Sequence, residues 1–413
     1  MKSRSRSLLA VFFVFFLDNF GFALAFPIMS PIMLDPNYHF FSPEISSTLR
    51  NILLGVVLGS FPLGQFFGAP IIGDMADSFG RRRLFLLTVT GTAIGFFLSA
   101  FAIYIENYLF LLVVRFLSGL VAGNLSICLA AVVDLSETEE KKRKNFSWIS
   151  TIAGVSWVIS ILINGLLANP KLSKFFSPSL PFWICGVLLL VSVIFILRWY
   201  EDIYIPEKKD KIDLKKGFRE IGMAFANREL RMVFVVALFW YVSSFILLQW
   251  VSPYFIKIYK ASQLDVTLLL IAIGVAWTLG SCVINVWLAK FVDTPQLFTW
   301  STFMMFLALL VVPFYLEIWF LYTAASISCL FASIGWANLN NIVSLAGKVS
   351  EQGKLMGINQ AMAAMSEVIA PILGGFLVFV SYSLIFYASA LFAFIAFLLM
   401  YIEKKHFVER SHK

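Results

Sequence analysis

Apolar runs of roughly 18 to 25 residues recur from one end of the chain to the other, and no other feature restricts the fold as tightly. A run of that length covers about 30 Å of hydrocarbon at about 1.5 Å per residue in a helix. Strands of a membrane barrel would be about half as long and would alternate in polarity. With 60% hydrophobic and 14% charged residues, a 413-residue chain of this kind cannot stay dissolved in water. The expected fold class is therefore an all-α membrane protein.

The runs fall at about 8–29, 50–72, 84–104, 107–133, 146–168, 181–200, 232–254, 266–288, 297–315, 318–342, 355–380 and 382–402, which makes twelve crossings with both ends on one side. Lys and Arg decide which side, because positive loops stay in the cytoplasm. Twenty-six of them flank one set of ends, against Arg50, Lys171, Lys174, Lys257 and Lys260 on the other. Both termini are thus expected in the cytoplasm of an inner-membrane protein. The longest polar stretch, Glu201 to Arg228, divides the chain into six-helix halves at 1–200 and 229–413, with a linker at 201–228. Within it, Asp213 to Asn227 reads either as an amphipathic helix on the membrane surface or as a solvated linker. Ser160-Ile161-Leu162-Ile163-Asn164-Gly165 parallels Ala370-Pro371-Ile372-Leu373-Gly374-Gly375, a trace of duplication that suggests two pseudo-symmetric six-helix bundles.

The net charge of +8 does not point to nucleic acid, because the basic residues sit in short segments between apolar runs. Cys128, Cys185, Cys282 and Cys329 all lie inside apolar runs, without zinc or disulfide spacing, and read as packing residues. His39, His406 and His412 lie in a loop or the tail and form no paired ligand set, so no metal is expected. Lys2, Arg4 and Arg6 precede an apolar stretch as in a signal peptide, but no cleavage pattern follows and Asp18 interrupts the run. That stretch reads as the first permanent helix. No phosphate-binding loop suggests direct use of ATP, and no cofactor is expected.

The most specific motif is Gly73-Asp74-Met75-Ala76-Asp77-Ser78-Phe79-Gly80-Arg81-Arg82-Arg83, expected as a tight cytoplasmic turn between the second and third helices. Gly73 and Gly80 would permit close backbone approach, while Asp77 and Arg81 supply opposite charges able to latch neighbouring helices. Here the chain resembles the Major Facilitator Superfamily, whose loop reads Gly-x-x-x-Asp-Arg/Lys-x-Gly-Arg-Arg/Lys, with Ser78 replacing a basic residue. The resemblance implies that Gly73, Asp77, Gly80, Arg81 and Arg82 gate a conformational change rather than bind substrate. The corresponding turn of the second half, Lys290-Phe291-Val292-Asp293, keeps an acid but lacks the Gly-Arg-Arg end.

Leu17-Asp18-Asn19-Phe20-Gly21 through Pro27 and Pro31 resembles the first-helix pattern of drug:proton antiporters related to tetracycline exporters, with Ala23 in place of a second Gly. Arg115-Phe116-Leu117-Ser118-Gly119 is similar to the Arg-x-x-Gln-Gly element of the same families. A charge near the bilayer centre costs at least about 2.5 kcal/mol on insertion scales, so Arg115 should face a partner or a watery cavity. Counting residues from the helix ends puts Asp18 about 15 Å deep and Arg115 about 12 Å deep from opposite sides. The expectation is that they form or alternate a buried ion pair, with Asp18 a candidate proton carrier. A fixed pair that only locks the bundle is the structural alternative.

Glu367 is the other intramembrane acid, where relatives usually carry a neutral residue. It reads as a substrate contact, a second protonation site or a structural hydrogen-bonding residue. Polar residues within apolar runs, Asn19, Gln65, Asn124, Gln249, Asn338, Asn341, Asn359 and Gln360, could line a central cavity or bridge helices, and Trp157, Trp240, Tyr241, Trp277 and Trp336 could wall a site for a flat solute. Trp183, Trp199 and Trp319 suit the interfacial belt. The sequence therefore implies a monomeric, proton-coupled secondary transporter of a small organic solute, not an enzyme, with substrate, protons and membrane lipid as partners. Export by antiport is favoured by the first-helix pattern. Ser160-Ile161, where antiporters of this subgroup usually carry Gly-Pro, keeps open proton-coupled import of a metabolite or metal chelate such as a siderophore.

Overall fold

The computed structural model describes residues 2–35, 38–42, 44–203, 219, 222, 225–346 and 352–411, and the side chains of some helical residues, Asp77 among them, lie outside that description. In chain order the helices are α1 (Arg4–Leu34), α2 (Ser47–Phe79), α3 (Arg81–Tyr104), α4 (Tyr108–Leu135), α5 (Glu139–Leu167), α6 (Leu180–Trp199), α7 (Arg228–Tyr259), α8 (Gln263–Leu288), α9 (Thr294–Phe314), α10 (Ile318–Leu345), α11 (Gln352–Val380) and α12 (Leu384–Ser411). Among the described residues eleven helices are long and apolar enough to cross a membrane, and α5 contributes the shorter apolar segment Thr151–Leu167. The chain is thus a multi-pass, all-helical membrane protein with the twelve-helix layout expected of it. Most of Asp213 to Asn227, read as an amphipathic helix or a linker, falls outside the described residues.

Helix ends are set by local chemistry. Asn107 caps α4 by accepting from the Phe110 N–H at 2.9 Å, Thr138 caps α5 through the Lys141 N–H at 3.2 Å, and Ser262 with Asp265 forms a reciprocal capping box at the start of α8. Three helices are interrupted. α1 breaks at Leu24, just before the segment Ala25–Leu34; α4 breaks at Ala122 and Gly123; and α8 passes through a π-helical turn, Gly280–Ile284. Non-helical backbone at membrane depth survives only where protein satisfies its polar groups. At the α4 break Gln65 Nε2 donates to the Ala122 carbonyl at 3.1 Å, and Ser126 Oγ donates to the Gly123 carbonyl at 2.9 Å.

The described residues cluster into two compact units, Met1–Ile45 with Ser60–Gly217, and Ser46–Gly59 with Phe218–Lys413. In the first, α1 packs on α4, α5 and α6, and α3 packs on α4 and α6. In the second, α7 packs on α10, α11 and α12, and α9 packs on α10 and α12. The same pairing scheme repeated six helices later is the pseudo-symmetry hinted at by the sequence repeat. Close crossings use small residues, since van der Waals fit rather than hydrophobicity joins helices in lipid. A Cβ on Gly64 would lie 2.1 Å from the Phe116 carbonyl oxygen, and one on Gly68 would lie 2.0 Å from that of Leu120, so α2 meets α4 backbone to backbone. In the second unit Gly280 plays this part for α8 against α10, its Cβ position falling 2.4 Å from the Leu330 carbonyl oxygen. There too, a Cβ on Gly55 would lie 2.3 Å from the Pro371 carbonyl oxygen of α11, and Asn51 Nδ2 donates to the Tyr382 hydroxyl at 2.7 Å.

Two expectations change. The stretch from Gly73 is not a turn: α2 stays helical to Phe79, and Gly80 alone separates it from α3. Helical backbone needs no bilayer to continue, and nothing before Gly80 requires a left-handed conformation. Cys282, read as a packing residue, is exposed on the π-helical turn of α8, whereas Cys128, Cys185 and Cys329 are buried.

Candidate functional site

Asp18 lies on α1 and accepts from Asn124 Nδ2 of α4 at 2.9 Å. Its neighbour Asn19 turns back on its own helix, donating to the Phe15 carbonyl at 2.9 Å. Arg115 is buried on α4 with its guanidinium 4.6 Å from the centroid of the Phe61 ring of α2. Asp18 and Arg115, expected to form or alternate an ion pair, are therefore not joined here. Residue counting had matched their depths from the ends of the apolar runs, but α1 extends from Arg4 to Leu34 and brings Asp18 level with Asn124. Asn124 stands nine residues, about 13 Å, further along α4 than Arg115.

Around Asp18, Cys128 of α4 and Cys185 of α6 are within electrostatic reach of the carboxylate. On α5, Ser160 Oγ donates to the Phe20 carbonyl of α1 at 2.5 Å and receives from Asn164 Nδ2 at 2.7 Å. Gln65 and Asn124, expected from their residue type to line a cavity or bridge helices, both act at the α4 break, and Asn124 is wholly buried. Trp157 is half-buried with its ring 5.8 Å from that of Phe26.

In the second unit Glu367 is buried on α11, and its Oε2 has no hydrogen-bond partner among the described residues. The exposed Ile372, Phe376 and Phe379 mark the outer face of α11. They lie about 140°, 180° and 120° around the helix from Glu367, so the carboxylate points into the bundle. Gln360, half-buried, shares that inward stripe. One neighbouring network is complete on its donor side: Asn359 Nδ2 donates to the Tyr241 hydroxyl of α7 at 3.0 Å and to Asn340 Oδ1 of α10 at 2.8 Å. Tyr241 is also within electrostatic reach of Glu367. Trp240, in edge contact with the Tyr241 ring at 5.2 Å, and Gln249 are buried, with Trp240 Nε1 and Gln249 Oε1 unpaired among the described residues. Asn338 Nδ2 bridges to Asn285 Oδ1 of α8 at 2.7 Å, just past the π-helical turn, and the half-buried rings of Trp277 and Trp336 lie 6.4 Å apart on the same helix pair. Asn341 is exposed and donates to Thr294 Oγ1 at 3.0 Å. Several of the amides expected to line a cavity or bridge helices do bridge helices, because an amide in hydrocarbon needs a partner whether or not a ligand is present.

At the α2–α3 junction Gly80 has φ +90°, and a Cβ there would lie 2.8 Å from Asp202 Oδ2. That carboxylate accepts from the Arg82 N–H at 3.1 Å and so caps α3, while Arg82 Nη2 donates to the Leu197 carbonyl at 2.5 Å. Arg81 is buried and donates through Nε to Asp134 Oδ2 at the end of α4. Gly73, expected to permit close approach, has nothing among the described residues within 4 Å of its Cβ position. The side chain of Asp77, the expected latch partner, lies outside the described residues. Sequence reasoning missed Asp134 and Asp202. Both were visible as acids placed just beyond apolar runs, on the side that carries the three consecutive arginines.

A sequence model of the Major Facilitator Superfamily matches residues 11–316 and 278–413. Tetracycline resistance protein, class B, of Escherichia coli is 26% identical over 205 residues, 49% of this chain and 45% of that protein, so this match spans about half of each. Quinolone resistance protein NorA of Staphylococcus aureus is 21% identical over 409 residues, 97% of both chains. The crystal structure of the human organic anion transporter MFSD10 superposes with a TM-score of 0.71 at 18% identity, covering 97% of this chain and all of that one, which is agreement in fold. With its helix-pairing scheme repeated in two units and a family match along nearly its whole length, the chain belongs to the Major Facilitator Superfamily.

Proposed function

We propose that the protein exports a small organic solute across the inner membrane in exchange for protons. The observation that carries this reading is Asp18, an acid kept at membrane depth with a neutral amide as its hydrogen-bond partner. Structural carboxylates in lipid are expensive unless paired with a cation, and Asp18 has none beside it among the described residues. Glu367 on α11 is the intramembrane acid of the second half, and either group can carry a proton through an alternating-access cycle. The resistance proteins among the relatives support export. The excess of Lys and Arg on one side supports cytoplasmic termini, and the Arg81–Asp134 contact supports the α2–α3 junction as a gate that acts within a single chain.

Everted vesicles with an acidified lumen and a pH-sensitive dye test the reading. Adding a transported solute should alkalinise the lumen for the wild type, as protons leave while solute enters, and should not for Asp18→Asn. Glu367→Gln should reduce the response or remove its dependence on pH. An Asp18→Asn variant that exchanges protons as fast as the wild type refutes the coupling role. Import by symport is the second reading, favoured by Ser160, which ties α5 to the Phe20 carbonyl where exporters usually carry Gly-Pro. It predicts lumen acidification in right-side-out vesicles when the solute is added.

A further inference from the structure

We propose that Asn124 passes the protonation state of Asp18 to the break in α4, as a positioning residue whose amide turns over when the carboxyl gains its proton. The inference rests on Asp18 being the proton carrier.

The break is a built feature. Ala122 has φ −82° and ψ 61°, outside the helical range, and Asn124 is the first residue of the following helical segment, Asn124–Leu135. Gly123 sits against α2 so closely that a Cβ would lie 2.5 Å from Ile72 Cγ2. α2 also supplies Gln65, whose amide occupies the Ala122 carbonyl. The backbone at residues 122–123 is thus held by α2 on one side and, one residue later, by Asp18 of α1 on the other.

Asn124 has the chemistry to sense a proton. Its side chain is wholly buried; its Nδ2 donates to Asp18 Oδ1, while its own Oδ1 has no hydrogen-bond partner among the described residues. An ionised carboxylate only accepts, so it takes the amide donor. A protonated carboxyl adds an O–H donor, and the unpaired Asn124 Oδ1 is the acceptor next to it. Half a turn of the amide then exchanges N–H donation for O–H acceptance, and the proton stays on Asp18. At the same time Asp18 loses the charge that favours its place beside the N-terminus of a helical segment. Other groups within electrostatic reach of Asp18 are the thiols Cys128 on α4 and Cys185 on α6, while on α5 the neutral Ser160 and Asn164 bond at the Phe20 carbonyl of α1. None offers a second charge to answer the titration. The bond change therefore falls on the first residue after the break.

Hydrogen exchange on the full chain in detergent micelles tests this, read on peptides covering residues 119–126 after correction for intrinsic exchange. Protection there should change severalfold between mildly alkaline and mildly acid buffer in the wild type and in Asn124→Thr, which keeps a donor and an acceptor. In Asn124→Leu the pH response should disappear. Infrared difference spectra on the wild type with isotope-labelled asparagine give a measurement that needs no Asn124 variant to fold. The carboxyl band lost in Asp18→Asn should appear together with a shift of one asparagine side-chain band. A pH response of residues 119–126 that survives in Asn124→Leu overturns the proposal, as does protonation of Asp18 with no asparagine change. Proton exchange by Asp18→Asn at the wild-type rate would instead remove the reading on which it rests, and the two failures are read in separate experiments.

Discussion

The guanidinium of Arg115 on α4 rests over the Phe61 ring of α2, 4.6 Å from its centroid, and this aromatic face takes the place of the acid that a buried cation would ordinarily recruit. A desolvated cation–π contact contributes about 1–2 kcal/mol. Phe61→Leu, which keeps most of the apolar volume, should therefore lower thermal stability in detergent by about that amount, and Phe61→Trp should keep or raise it. Equal melting of Phe61→Leu and wild type would show that the ring only fills space.

Arg81 and Asp134 join α3 to the end of α4. A hydrogen bond between charged groups contributes about 1.5–3 kcal/mol, and removing the acid takes this contact away from the buried Arg81. Asp134→Asn should destabilise the protein by about 2 kcal/mol and slow transport, while the exchanged pair Arg81→Asp with Asp134→Arg should recover part of both. Transport unaltered by Asp134→Asn would separate this contact from gating.

The two glycines of the α2–α3 motif should respond in opposite ways. Gly73 is helical with nothing among the described residues within 4 Å of its Cβ position, so Gly73→Ala should be neutral or stabilise by about 0.5–1 kcal/mol. Gly80 has φ +90° and faces Asp202, so Gly80→Ala should cost at least about 1–2 kcal/mol and uncap α3. Thermal unfolding of the two variants side by side decides the matter.

Glu137 accepts from Arg4 Nη1 at 2.6 Å and from Lys141 Nζ. The Lys141 hydrogen bond, helped by the charges of Lys141 and Arg4, holds its carboxyl below the usual carboxylate range. A carboxyl held low in the folded state contributes stability above its unfolded value and loses it as pH falls through the lowered value. Glu137→Gln should thus melt slightly below wild type at neutral pH and together with it in strong acid, with a small gap because the group is exposed. A gap that widens in acid would contradict the assignment.

How much was legible from residue order depends on the kind of force involved. The crossings expected at 84–104, 107–133 and 355–380 appear as Arg81–Tyr104, Tyr108–Leu135 and Leu355–Val380, because apolar length against bilayer thickness is a property each segment carries alone. Asp18, Arg115 and Glu367 stood out for the same reason, as charges inside such segments.

Which of those charges meet was a different matter. Asp18 bonds to Asn124 and Arg115 settles over Phe61, although their counted depths matched, because the rotation, tilt and breaks of each helix set its contacts. The interruption of α4 at Ala122 and Gly123 depends on Gln65 and Ile72, more than fifty residues away in the chain. By itself, then, the sequence determined the apolar crossings, roughly where each lies and the rarity of charge within them, since hydrocarbon acts on one segment at a time. Only the tertiary structure decided the partners, because hydrogen bonds and close packing are made between faces that meet once the helices are assembled.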